Sequence, residues 1–101
     1  MVTEIAQIEV HPGSEEEFER AVAQAVPLFS SAEGCHGVEL HRSVEFPQRY
    51  RLLVRWETVE HHMVKFRESD DFGRWRALVG PHFATPPQVE HIVSVLPDAT
   101  V

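Results

Sequence analysis

The stretch Cys35–Trp56, CHGVELHRSVEFPQRYRLLVRW, alternates in two runs separated by a short break. In the first run Val38, Leu40 and Val44 fall on one face with His36 and Arg42, while Glu39, His41 and Ser43 oppose them. In the second, Tyr50, Leu52, Val54 and Trp56 align. A period of two over such lengths predicts half-buried strands. Phe46-Pro47-Gln48-Arg49 is turn-like, and a link this short predicts an antiparallel hairpin.

On the N-terminal side, Thr3 to His11 also alternates, with Ala6, Ile8 and Val10 against Ile5, Gln7 and Glu9, and Pro12-Gly13 punctuates it. Ser14-Glu15-Glu16-Glu17 predicts a capping box, in which the Ser14 hydroxyl accepts from the Glu17 amide. The three glutamates suit the positive end of a helix dipole. Phe18, Ala21, Val22, Ala25, Val26 and Phe29 then recur at threes and fours, the pattern of an amphipathic helix that Pro27 should kink or end.

On the C-terminal side, Thr58 can cap a second helix with Val59, His62, Met63 and Phe66 on its inner stripe. Ser69-Asp70-Asp71 interrupts that helix and caps a further piece carrying Phe72, Trp75 and Val79. Gly80-Pro81 stops it, and Ala84-Thr85-Pro86-Pro87 leads to a last strand. There Val89, His91, Val93 and Val95 share a face, and Pro97 ends the strand. The order is β-α-β-β-α-β, predicting one α+β domain over residues 1–101 with a ferredoxin-like, four-stranded antiparallel sheet and helices on one face. Such a sheet leaves a second face and two edges uncovered. A homodimer packed sheet against sheet is the expected cover.

Composition narrows the function classes. A chain of 101 residues, 43% hydrophobic and 25% charged, fits one compact domain. Sixteen acidic against nine basic residues give a net charge of -7, which argues against nucleic acid and against an anionic membrane surface. The one cysteine, Cys35, allows no intrachain disulfide and reads as a small strand-start residue. The opening MVTEIAQIEV lacks a basic region followed by an apolar core, and no apolar run approaches the ~18 residues of a membrane helix, so a cytoplasmic location is expected.

The candidate site lies between Trp56 and His91, which hold both tryptophans, four of the seven histidines and a cluster of arginines. That mixture reads as a pocket wall. His62, on the inner stripe, is the expected catalytic base, its reference pKa of about 6.5 needing little tuning. The plainer reading has it satisfied by a backbone carbonyl or by Glu60. Phe66, Arg67, Phe72, Trp75 and His91 are the expected substrate-binding residues. Trp75 and Phe72 would form a stacking wall, and Arg67 or His91 would stabilise an anion. His91 joins the pocket if its face meets the helices, and becomes an interface residue if it meets a partner sheet. Trp56 reads as core. Arg67, Arg74 and Arg76 are otherwise expected to be solvated or paired with Glu68, Asp70 and Asp71. His11, His36, His41 and His82 fall at strand ends or in loops. No histidine spacing resembles a HExxH or Cys/His ligand set, and there is no phosphate loop or dinucleotide fingerprint, so neither metal nor cofactor is expected.

Several segments also resemble one family. They are Ile5-Ala6-Gln7-Ile8 leading to Pro12-Gly13, the run Gly34 to Ser43, Trp56-Glu57-Thr58 with Glu60 and His62, and Phe66-Arg67-Glu68-Ser69 before Phe72. Together they are similar to the antibiotic biosynthesis monooxygenase domain, a likeness that covers essentially the whole chain. The resemblance implies the dimeric α+β barrel. It spans quinone-forming monooxygenases, haem-degrading enzymes, aldehyde-signal processing proteins and members without known activity. The family commonly has a histidine where this chain has Phe66. Its haem-degrading branch carries an asparagine in the first strand, and this chain has no asparagine. The expectation is a small cofactor-independent monooxygenase acting on a flat phenolic or polyketide-like substrate. The alternative is a non-enzymatic dimeric module that binds a small aromatic molecule or a partner, with haem binding through His62 or His91 as a third reading.

Overall fold

A computed structural model describes residues 1–96 and 98–101. The elements are β1 (Val2–Glu9), α1 (Glu15–Ser30), β2 (Cys35–Arg42), β3 (Arg49–Trp56), a π-helical turn (His61–Phe66), α2 (Asp70–Val79), a 3-10 turn (Gly80–His82) and β4 (Gln88–Ile92). Every pairing is antiparallel, in the order β2-β3-β1-β4, which is the ferredoxin-like α+β arrangement. The hairpin read from Cys35–Trp56 forms as β2 and β3, with a bulge between Cys35 and Gly37.

Alternation decides which side chains go inward. Ala6, Ile8, Tyr50, Leu52, Val54 and Trp56 are buried beneath the helices, where Phe18, Ala21, Val22, Ala25 and Phe29 of α1 and Trp75 and Val79 of α2 meet them. The aromatic part interlocks. Phe29 lies 5.0 Å from Phe66 and 4.9 Å from Trp75 between ring centroids. Register then sets the site, because Glu4 stands opposite Val54 on one side and His91 on the other. His91 is therefore on the helix-facing side of the sheet.

Local expectations fail where backbone geometry overrides pattern. Ser14 makes no side-chain capping bond; its backbone sits at φ −91° and ψ 0°, outside the extended conformation typical of a capping residue. The Glu15 carboxylate serves that helix end instead. It is held below the usual carboxylate range first by its own backbone amide and then by Gln48. Pro27 does not stop α1, which runs on to Ser30; Ser31 caps the Pro27 carbonyl with its hydroxyl at 2.7 Å and its amide at 3.1 Å. Val26, Val59 and Met63 are exposed rather than inward. Around the π-helical turn the Arg67 amide bonds the His62 carbonyl at 3.1 Å, five residues back, and this winding leaves only His62 and Phe66 inside. Val44 lies beyond β2 and is exposed. β4 stops at Ile92 because that residue pairs with Thr3, and β1 begins only one residue further, at Val2. Val93 and Val95 thus lie outside the strand, exposed. Pro97, the expected end of that strand, lies outside the described residues.

Thr58 and Ser69 do cap as expected. The Thr58 hydroxyl accepts from the His61 amide at 3.2 Å, and Ser69 Oγ accepts from the Phe72 amide at 3.3 Å. The start of the π-helical turn is also seated on Gly34, whose carbonyl accepts the Glu57 amide at 2.8 Å. Gly34 has φ +80°, and a Cβ there would lie 2.4 Å from the His61 ring. Gly34→Ala should therefore destabilise the fold by about 1–3 kcal/mol, measured by chemical denaturation, because it adds both a left-handed strain and a clash.

Candidate active site

The site begins with a residue that breaks the pattern of β1. Glu4 occupies the register of Ala6 and Ile8, so the strand carries its carboxylate into the core, where it is only 5% exposed. Two neighbours receive it. Trp56 at the end of β3 donates its indole Nε1–H to Glu4 Oε1 at 3.0 Å. His62, 3% exposed on the π-helical turn, places Nε2 3.3 Å from the same oxygen. The His62 ring stacks on the Trp56 indole with centroids 5.4 Å apart and planes 15° apart. His62 Nδ1 lies 2.8 Å from His91 Nε2.

Oε1 accepts the Trp56 indole N–H, with His62 Nε2 close beside it, and His62 Nδ1 and His91 Nε2 share one hydrogen bond whose direction follows the tautomer. The second Glu4 oxygen has no protein hydrogen-bond partner among the described residues, yet it is not a sealed-off buried atom. It is the oxygen left to face the cavity that Glu4 lines.

Burial sets the charges. Loss of solvation pushes the Glu4 carboxyl up to about 7, against the opposing pull of the Trp56 hydrogen bond and the Arg67 charge. The same loss of solvation, aided by His91 and Arg67, pushes His62 down to about 4. The pair is thus an uncharged imidazole beside a carboxyl that titrates near neutrality. An ion pair between them would require two sparsely solvated charges.

Beside this pair lies an open cavity of about 480 Å³. It is lined by Glu4, His62, Ala6, Ile8 and Leu52, by Phe72, Trp75, Arg67 and Arg76, and by the loop Phe83 to Pro87 with Val89. Of the residues expected in the site, His62, Arg67, Phe72 and Trp75 line this cavity. Phe66 and His91 do not: Phe66 is buried among Phe29, Trp56 and Phe72, and His91 sits behind His62. Among the arginines only Arg74 takes one of the expected carboxylates, bonding Asp71 at 2.6 Å. Glu4 was missed, although an acidic residue in the inward register of an otherwise apolar strand was a legible signal. Among the described residues no cluster of three or more His, Cys, Asp or Glu has a geometry that could hold a metal ion, and no helix is long and apolar enough to cross a membrane.

Comparison with known proteins places the chain. A Bacillus subtilis (strain 168) protein, YczJ, is 39% identical over 95 residues, covering 94% of this chain and 100% of that one. A solved structure from Bordetella bronchiseptica, assigned to antibiotic biosynthesis monooxygenases, superposes with a TM-score of 0.93 at 63% identity, covering 94% and 97% of the two chains. The fold is shared, at 18% identity and a TM-score of 0.80 over 96% and 97% of the chains, by a variant of SnoaB, a cofactor-independent oxygenase from Streptomyces nogalater. Residues 1–78 match the antibiotic biosynthesis monooxygenase family itself. With the β-α-β-β-α-β sheet and this span of sequence in common, the chain belongs to the antibiotic biosynthesis monooxygenase family.

Proposed function

We propose that this protein is a cofactor-independent monooxygenase that oxidises a flat phenolic or polyketide-like substrate, with Glu4 and His62 acting together as its base. The observation that carries the reading is the Glu4 carboxyl, buried against Trp56 and His62 and facing a cavity walled by Phe72 and Trp75. A non-enzymatic module with a filled core would leave His62 bonded to a backbone carbonyl. Here its partners are Glu4 and His91, and the cavity beside it is open.

The chemistry asks little of the protein. Glu4 takes the phenolic proton, and the electron-rich phenolate passes one electron to dioxygen. Recombination of the two radicals forms a C–O bond, and the resulting peroxide takes up the proton held by Glu4. Loss of water across the C–H and O–O bonds then turns a CH2 group into a carbonyl, one oxygen atom going to substrate and one to water. Trp56 orients the carboxylate through Oε1, with His62 beside it and backed by His91, while Oε2 works in the cavity. Phe72 and Trp75 stack on the substrate and exclude water, and Arg67 supplies a positive charge for an anionic group of the substrate.

A carboxyl that titrates near 7 makes an active base only above that value. Oxygen uptake by the purified protein on anthrone-like and hydroquinone substrates should therefore rise as pH increases through about 7. His62 stays neutral across that range. Glu4→Gln should lose about 100-fold or more of the rate and the pH-dependent limb with it. Full uptake by Glu4→Gln would remove Glu4 from the chemistry, and no uptake across the panel would put the binding module ahead of the enzyme.

The partner is a second copy of the chain. The sheet face away from the helices carries half-buried Ile5 paired with Leu53, and the tail beyond β4 exposes Val93, Val95 and Leu96. These apolar groups are the ones a sheet-to-sheet homodimer would cover. Sedimentation should give a dimer mass for the wild type and a monomer for Leu53→Arg, which places a charge at the centre of that face.

A further inference from the structure

Five of the nine basic residues, namely Arg42, Arg49, Arg55, Lys65 and Arg74, have a carboxylate within 4.0 Å. Two of the other four, Arg67 and Arg76, line the cavity. Among the described residues neither is bridged to a carboxylate, although this chain has 16 of them. The nearest polar partner of Arg67 is the Met63 sulfur at 3.8 Å. Instead both guanidiniums gather on one ring, with Arg67 Cζ 5.4 Å and Arg76 Cζ 5.9 Å from the Phe72 centroid. Both guanidiniums lie over Phe72, and among the described residues neither donates to an oxygen acceptor. Two like charges on one aromatic, uncompensated in a molecule of net charge -7, form a site that an anion would complete.

We propose that Arg67 and Arg76 form a carboxylate subsite on the cavity wall, so that the natural substrate is an aromatic carboxylate whose acid group sits on the two arginines while its phenolic hydroxyl reaches Glu4. The proposal rests on the phenol-oxidising reading above and adds the substrate's second anchor. The lining of the cavity supports it: Glu4 and His62 share the cavity with the two arginines and with the apolar surface of Ala6, Ile8 and Trp75. A flat molecule carrying both a hydroxyl and a carboxylate can therefore engage both sets of groups. A carboxylate presents two oxygens to a guanidinium fork, and its single charge is better tolerated by an acidic protein than that of a phosphate.

The test is calorimetric titration of the intact protein with 6-hydroxy-2-naphthoate, its methyl ester and 2-naphthol at pH 7, which reads binding without turnover. The naphthoate should bind about tenfold or more tightly than the ester or the naphthol. That preference should vanish in the Arg67→Gln/Arg76→Gln double variant and weaken in Arg67→Lys, which keeps the charge and loses the fork. Both side chains are exposed, and a thermal melt verifies that the variants fold. Equal affinity for acid and ester, a preference that survives the double substitution, or no binding of any of the three would each overturn the subsite. Because no oxygen is consumed, a carboxylate preference in a protein that oxidises nothing would sustain the subsite and count against the oxygenase, and the converse result would separate them the other way.

Discussion

The burial of one carboxyl group organises the helix side of this protein. Glu4 enters the core because β1 alternates, and it is tolerated there because the Trp56 indole N–H bonds one of its oxygens while the His62 imidazole stands 3.3 Å from the same atom. Each neighbour is fixed for a separate reason. Trp56 is the last residue of β3 and is fully buried. His62 is turned inward by the π-helical winding, stacked on that indole and backed by His91. Strand register, helix geometry and aromatic packing therefore meet at a single atom. The other carboxylate oxygen is left to the cavity.

This arrangement has an energetic cost. The Glu4 pKa is raised from 4.5 to about 7, so its favourable contribution to folding is fully present below about pH 4.5 and is lost as pH rises through about 7. The difference amounts to about 3 kcal/mol once the group is ionised. His62 runs the opposite way: its depressed pKa favours the fold above about 6.5, and that advantage is lost as pH falls through about 4. A scaffold selected for stability alone would place an apolar residue at position 4, as β1 does at positions 6 and 8. Keeping a carboxyl there leaves in the core a group whose protonation changes near neutral pH.

Much of the architecture was legible in the sequence, and its failures are instructive. Period-two alternation located all four strands, since inward and outward faces differ by a single residue step. The inward turn of His62 also followed from spacing, yet its stripe-mates Val59 and Met63 proved exposed, because a helical wheel assumes α-helical winding and this segment is π-helical. Ser14 carried the chemistry of a cap without the backbone angles that would aim it. Phe66 was expected inward and His91 was left open between helix face and partner sheet; both are on the helix side but do not line the cavity, a distinction of depth that periodicity does not encode. Glu4 was overlooked because attention to apolar residues passed over the one acid in their register. Family membership adds the fold; the reading of the chemistry rests on the site.

The most direct test of this account is the titration of Glu4 itself, followed by the side-chain carboxyl resonances of glutamate-labelled protein in carbon-13 NMR, with Glu4→Gln identifying the signal. A midpoint near 7 that moves when His62 is replaced is the predicted result. A midpoint near 4.5, unmoved by that replacement, would contradict the buried base on which the proposed chemistry depends.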